Sequence, residues 1–267
     1  MTNTLRFCVL GPVRAWRDGA ELDLGSPQQR AVLAALLVRF GTHVTVAELV
    51  AAIWDDDPPR AAVGTARTYI YRLRRVLESD ARGLTVLPSH GGAYTIAGGT
   101  VDLDDFQRLV DAATAAQQAG RTDQAAEDLD RALRMWRGPA LAGVPGRYAE
   151  AQRTRLAEVR LSAQERRMEL AIASGQHREA VPDLIALVDE FPFRERPRQL
   201  LMLALAGSGR RADALAVFRD VRQLLCDELG IEPAPALQRI HREILDGEAL
   251  LVPAGRAASG TVAVRTR

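Results

Sequence analysis

Apolar residues recur at spacings of three and four through 61–78, at Val63, Ala66, Ile70, Leu73 and Leu77. This recurrence predicts a helix with one buried stripe. The other positions carry Arg67, Thr68, Tyr71, Arg72, Arg74 and Arg75. A helix that packs on one side and offers arginines and an aromatic on the other fits the major groove of DNA, where guanidinium groups read guanine and neutralise phosphate. Many arginine-rich amphipathic helices are simply solvated surface helices, so the neighbouring segments decide. Leu84 and Val86, then Ser89-His90-Gly91-Gly92-Ala93, then Tyr94 and Ile96 alternate around a pair of glycines. They predict a β-hairpin. A helix running into such a hairpin reads as a recognition helix followed by a wing.

Upstream, short alternating runs at Leu5-Arg6-Phe7-Cys8-Val9, Val13-Arg14-Ala15 and Glu21-Leu22-Asp23-Leu24 are separated by Gly11-Pro12 and Asp18-Gly19. They predict a small antiparallel sheet. Ser26-Pro27 opens a first helix as N-cap and first residue, with Ala31, Leu33, Ala34, Leu36, Leu37 and Phe40 inward and Gly41 as its stop. Thr45, with Glu48 three residues on, predicts a capping box for a second helix that buries Val46, Leu49, Val50, Ile53 and Trp54. Pro58-Pro59 cannot continue that helix, which leaves Asp55, Asp56 and Asp57 in an acidic loop. A small antiparallel sheet, three helices and a C-terminal β-hairpin wing predict an α+β winged helix-turn-helix over residues 1–99.

From Val101 the pattern turns to helices rich in alanine, leucine and arginine, with the change at Gly98-Gly99-Thr100. Ser174-Gly175-Gln176-His177-Arg178-Glu179-Ala180-Val181 aligns with Ser208-Gly209-Arg210-Arg211-Ala212-Asp213-Ala214-Leu215 at an offset of 34, and Ala119-Gly120-Arg121-Thr122-Asp123-Gln124-Ala125-Ala126 is a fainter copy. A 34-residue period with glycine in the turn and alanine in the next helix is the tetratricopeptide pattern, and Pro192 and Pro233 stand where such helices close. Residues 100–247 are therefore expected to form an all-α, tetratricopeptide-like domain of stacked helix pairs. Residues 248–267, with Pro253, Gly255 and Gly260 and little periodicity, read as a disordered tail or linker.

Composition narrows the chemistry. The chain has 267 residues, 47% hydrophobic, enough for two domains. Formal net charge is +1, so affinity for a polyanion must come from local clustering, such as the six arginines between positions 60 and 82. All 35 basic residues are arginine, which a GC-rich coding sequence explains as well as selection does. Cys8 and Cys226 give neither a disulfide framework nor metal spacing, which fits a reducing cytoplasm. No signal-like N-terminus and no long apolar run point to secretion or a membrane. His43, His90, His177 and His241 are scattered without ligand spacing. The glycine pairs lack a phosphate-loop signature, and Trp54 and Trp136 read as core. No nucleophile, base and oxyanion set assembles, so neither an enzyme nor a cofactor is expected.

Tyr69-Ile70-Tyr71-Arg72-Leu73-Arg74-Arg75-Val76-Leu77-Glu78, the wing Gly91-Gly92-Ala93-Tyr94-Thr95-Ile96, and Arg155-Leu156-Ala157-Glu158-Val159-Arg160-Leu161, Leu201-Met202-Leu203-Ala204-Leu205 and Glu228-Leu229-Gly230-Ile231-Glu232-Pro233 together resemble the Streptomyces antibiotic regulatory protein family. These are bacterial activators that join an OmpR-type winged helix to a helical bacterial transcriptional activation domain. The resemblance covers residues 5–247. It implies a cytoplasmic, nucleoid-associated activator that binds direct repeats in double-stranded DNA as a dimer. It also implies recruitment of RNA polymerase holoenzyme with its sigma factor and control of secondary metabolism, with no membrane partner. Position by position, it assigns Thr65, Arg67, Thr68 and Tyr71 to the groove face, Arg72, Arg74 and Arg75 to phosphates or adjacent bases, and His90 to the wing. His90 stands where the family often has arginine, and Ala93 where it usually has glycine. Asp55, Asp56 and Asp57 match a segment that can face polymerase, although a solvated, capping loop is the preferred reading. The competing functional reading is a tetratricopeptide-type interaction module whose winged helix is a docking surface. A helical domain that senses a small molecule is a third reading, with no residue set arguing for it.

Overall fold

Strand β1 (Leu5–Cys8) alternates a solvent-facing Arg6 with buried Leu5 and Phe7, and its period sets the first sheet. It pairs antiparallel with β2 (Arg14–Arg17), and β2 with β3 (Ala20–Glu21). The other edge of β1 takes a strand that the sequence pattern does not reveal. Here β7 (Thr100–Val101) lies parallel to β1, with Phe7 opposite Val101, so the sheet order is β3-β2-β1-β7. A computed structural model describes residues 4–78 and 86–247 of the chain, which divides into two compact units, Met1–Arg167 and Met168–Arg267.

In the first unit, helix α1 (Pro27–Leu37) begins as its caps predict: Ser26 Oγ accepts from Gln29 N at 3.2 Å, with Pro27 at the first position. It ends at Leu37, short of Gly41, and Phe40 packs half-buried from the following turn. Strand β4 (Val44–Thr45) leads into α2 (Val46–Trp54), where Thr45 Oγ1 accepts from Glu48 N at 3.2 Å and Glu48 Oε2 accepts from Thr45 N at 2.8 Å. The capping box is complete, and Arg39 Nη1 adds a bond to Glu48 Oε1 at 2.6 Å. Leu49, Ala52 and Ile53 are the buried residues of α2, with Val50 and Trp54 half-buried against the core.

Helix α3 (Ala62–Leu77) buries Ala62, Ala66, Ile70, Leu73 and Leu77. Val63, expected inside, is 46% exposed, and Ala62 takes its place. The stripe drawn by Ala66, Ile70, Leu73 and Leu77 extends back by a step of four to position 62, and the next residue lies about 100° further round the helix. The hairpin follows as β5 (Ser89–His90) and β6 (Ala93–Tyr94), with β6 also pairing with β4. Leu84, expected in the hairpin's first arm, lies outside the described residues. The order of small sheet, three helices and hairpin is a winged helix-turn-helix.

The core around these elements does not stop where the composition changes. Leu141, Val144 and Ala149 are buried in the same cluster as Phe7, Leu33 and Leu73. Helix α4 (Asp102–Gln118) packs with α5 (Thr122–Leu133), and Trp136 stands edge-on to Phe106 at 5.5 Å. Residues 137–142 then run along the connection after β1: Arg137 N donates to Leu10 O at 2.8 Å, Leu141 N to Val9 O at 2.9 Å and Ala142 N to Gly11 O at 3.1 Å. Buried Asp102, the first residue of α4, accepts from Val9 N at 2.8 Å and Leu10 N at 3.1 Å. Burial pushes its carboxyl upward against these stabilising bonds. Burial, followed by the adjacent Asp102 charge, also raises the Cys8 thiol to about 11, which makes Cys8 a packing residue.

Helix α6 (Arg147–Ala173) continues from the first unit into the second. The second unit contains α7 (His177–Glu190), α8 (Glu195–Gly207), α9 (Arg211–Leu229) and α10 (Pro235–Asp246), with α8 packed on α7, α9 and α10. The three repeat copies seen in sequence share one turn geometry. Gly120, Gly175 and Gly209 all have positive φ, and the following N–H reaches back to Ala116 O, Ala171 O and Leu205 O at 2.9, 2.8 and 2.8 Å. This is the Schellman motif, which needs a residue tolerant of the left-handed region. Five positions after each glycine, Ala125, Ala180 and Ala214 are buried. The expected tail over 248–267 lies outside the described residues.

The capping box makes a stability prediction. Backbone and hydroxyl bonds from Thr45, then Arg39, lower the Glu48 carboxyl from its ordinary 4.5 to about 2. Its contribution is therefore present above the unfolded value and is lost as pH falls towards the folded one. Glu48→Ala is expected to lower unfolding free energy by roughly 1 kcal/mol at neutral pH. In urea melts at pH 7 and pH 2 the gap between variant and wild type narrows in acid; a gap that is constant with pH counts against the carboxylate as its source.

Candidate nucleic-acid interface

The outward face of α3 follows from the inward one. With Ala66, Ile70, Leu73 and Leu77 seated in the core, Arg67, Thr68, Tyr71, Arg72 and Arg75 all lie on the exposed side. Tyr71 is 61% exposed, so its ring and hydroxyl are open to a ligand on this face. Thr65 is half-buried at the edge of this face. The hydroxyls of Thr65 and Thr68 donate back to Ala61 O at 3.1 Å and Gly64 O at 3.0 Å. Each threonine therefore offers outward an oxygen lone pair and a methyl group. These suit a base amino group and a thymine methyl respectively.

Elsewhere many surface arginines are matched with carboxylates, among them Arg14 with Glu21, Arg147 with Asp56, Arg167 with Asp130 and Arg222 with Glu232. Among the described residues Arg67, Arg72 and Arg75 have no such ion pair, although each is exposed. Three exposed guanidinium groups on one helix face, none of them in an ion pair among the described residues, make a positive surface that attracts anions.

The remaining arginine of the set is placed differently. Arg74 is half-buried, its Nε donates to Leu87 O at 2.9 Å, and its guanidinium lies over the Tyr94 ring at 5.4 Å. It faces the hairpin. Nothing in the periodicity separates Arg74 from Arg72 and Arg75; only the position of the hairpin does.

The hairpin turn is made by Gly91 and Gly92, both at positive φ, as a two-residue connection of primed type requires. Ala93 falls on β6 in register with His90 and Thr45, outside the turn, so the missing glycine leaves the turn intact. His90 is exposed, 6.3 Å ring to ring from exposed His43. The acidic loop is held at the start of α6: Asp55 Oδ2 accepts from Arg147 N at 3.3 Å and Asp56 Oδ2 from Arg147 Nη1 at 3.1 Å. Asp57 is exposed. Among the described residues no three His, Cys, Asp or Glu side chains gather as a metal site, and no helix is long and apolar enough to cross a membrane.

This geometry coincides with two sequence families. Residues 19–95 match the family described as "Transcriptional regulatory protein, C terminal", and residues 101–245 the "Bacterial transcriptional activator domain". The chain belongs to the Streptomyces antibiotic regulatory protein family. It is 48% identical to the regulatory protein AfsR of Streptomyces coelicolor over all of this chain and 27% of that protein. The transcriptional regulatory protein EmbR of Mycobacterium tuberculosis is 35% identical over 97% of this chain and 69% of its own length, and the regulatory protein DnrI of Streptomyces peucetius 34% over 90% and 92%. A solved structure of Mycobacterium tuberculosis EmbR in complex with a low-affinity phosphopeptide superposes with a TM-score of 0.88 at 34% identity, covering 93% of this chain and 66% of that one. The chain thus spans about a quarter of the length of AfsR.

Exposed, unpaired side chains carry little folding energy. Arg67→Ala, Arg72→Ala and Arg75→Ala are each expected to leave unfolding free energy within about 0.5 kcal/mol of wild type. A loss well above that in denaturant titration would mean that the side chain is part of the packing.

Proposed function

We propose that this chain is a sequence-specific, DNA-binding transcriptional activator that lays the exposed face of α3 in the major groove. The observation that supports this best is the set of guanidinium groups of Arg67, Arg72 and Arg75, exposed beside Thr68 and Tyr71 and in no ion pair among the described residues. Residues 1–99 are the DNA reader. Arg67, Thr68 and Tyr71, with Thr65 at the edge, face bases; Arg72 and Arg75 hold phosphates; His90 on the wing approaches the backbone next to the groove. The names of the relatives, all regulatory proteins, support a role in regulation.

Residues 100–247 are the activation domain of the proposal. Two copies bind a direct repeat upstream of secondary-metabolism genes and recruit RNA polymerase holoenzyme with its sigma factor, in the cytoplasm at the nucleoid. Copies on a direct repeat stand head to tail, so their contact need not be two-fold symmetric. Asp56 and Asp57, both exposed, are the residues of the acidic loop most available to polymerase, while Asp55 is half-buried and accepts from Arg147 N.

A second reading keeps a basis in the second unit, where Ile185, Phe193, Leu229 and Ile231 are each between 44% and 52% exposed. Apolar exposure of this kind suits a protein partner, with the winged helix as a docking surface.

Titration of DNA binding with salt separates the two. Several phosphate contacts predict a linear fall of log affinity with log salt, with a slope of about −0.9 per phosphate neutralised. Arg67→Ala is expected to cost ~1–3 kcal/mol and to relax preference at one base pair. Little DNA binding at any salt, or unchanged sequence preference in Arg67→Ala, would reject the assigned face.

A further inference from the structure

Among the described residues, both polar groups of Leu87, just before the wing, are bonded by side chains from the C-terminal end of α3 and its cap. Arg74 Nε donates to Leu87 O at 2.9 Å, and Glu78 Oε1 accepts from Leu87 N at 3.2 Å. Arg74 lies in the last turn of α3, and Glu78 is the residue that caps it, with extended backbone and its N–H bonded to Arg74 O at 2.8 Å. Together they supply the donor and the acceptor that a neighbouring strand would have supplied. Leu87 is fully buried, so its N–H and C=O cannot turn to water instead. Tyr94, on β6, closes the arrangement from the wing side with its ring under the Arg74 guanidinium at 5.4 Å. The Arg74 Nη2 is itself buried and finds no hydrogen-bond partner among the described residues. A guanidinium so placed has little left to offer a phosphate.

From this geometry we infer that Arg74 and Glu78 are positioning residues: they set the angle between recognition helix and wing, and act on DNA affinity through Leu87 and Tyr94. The inference rests on the proposal that α3 and the wing bind DNA. It separates Arg74 from Arg72 and Arg75, which the sequence groups together. It also makes a prediction against simple electrostatics. A carboxylate at the end of a DNA-reading helix repels phosphate, so removing Glu78 should tighten binding if charge alone mattered. If Glu78 holds the wing, its removal loosens binding.

The test uses the full chain and a duplex selected by the wild type from a random-sequence library, with affinity measured by fluorescence anisotropy between 50 and 200 mM salt. Arg74→Ala is expected to weaken binding about ten-fold, the effect of losing one charge-assisted hydrogen bond, while keeping the wild-type salt slope. Arg72→Ala and Arg75→Ala each flatten that slope by about 0.9. Glu78→Ala weakens binding, and Glu78→Gln, which still accepts from Leu87 N, restores it. In hydroxyl-radical footprints of Arg74→Ala, protection by the wing is lost while that by α3 persists, a local change that general destabilisation would not produce. The Glu78 pair decides the matter if Arg74→Ala does not fold. A flattened slope in Arg74→Ala, or equal or tighter binding by Glu78→Ala, overturns the positioning role while leaving DNA reading intact. A wild type that selects no duplex at any salt overturns both.

Discussion

Burial of one stripe of α3 is the constraint on which the candidate interface depends. A 16-residue helix seated by Ala66, Ile70, Leu73 and Leu77 can rotate very little before large side chains leave the core. Once that stripe is in place, the directions of Arg67, Thr68, Tyr71, Arg72 and Arg75 follow from the helical repeat. No contact among these residues is needed to display them. The positive face results from hydrophobic packing on the opposite side.

Where the first unit needs joints between elements, it repeatedly uses side chains to bond backbone groups. Asp102 holds Val9 N and Leu10 N, Asp55 holds Arg147 N, Arg17 Nη2 donates to Val76 O, and Arg74 with Glu78 grips Leu87. Each pairs a charged group with the partial charge of a peptide, stronger than a neutral hydrogen bond, and several are shielded from water. Such joints allow short strands of two residues, such as β5, β6 and β7, to be held without long ladders. They also link the winged helix to the start of α4 and to the first residue of α6. For that reason the first compact unit runs on past the wing to Arg167.

The helical region shows how a weak repeat signal can still specify geometry. The copy around Gly120 shares few identities with those around Gly175 and Gly209, yet all three close on the same pair of backbone bonds and bury an alanine five residues later. Glycine is needed for the left-handed turn, and a small side chain lets the next helix approach. Those two requirements are local, so they survive where the intervening sequence diverges.

Local chemistry was therefore legible in the chain alone. Ser26-Pro27, Thr45 with Glu48, Gly91-Gly92 and the repeat glycines each act within a few residues, and each appears in the structure as its pattern predicts. The apolar stripe of α3 matches the periodicity of the sequence except at its first turn, where helical spacing allows Val63 and Ala62 almost equally and only the shape of the core chooses. The parallel strand β7 was invisible because two residues carry no period, and its partner β1 lies more than ninety positions away. The division of labour among Arg72, Arg74 and Arg75 was hidden for the same reason. Three identical side chains on one helix differ only in what lies opposite them, and the hairpin that faces Arg74 is brought there by tertiary packing.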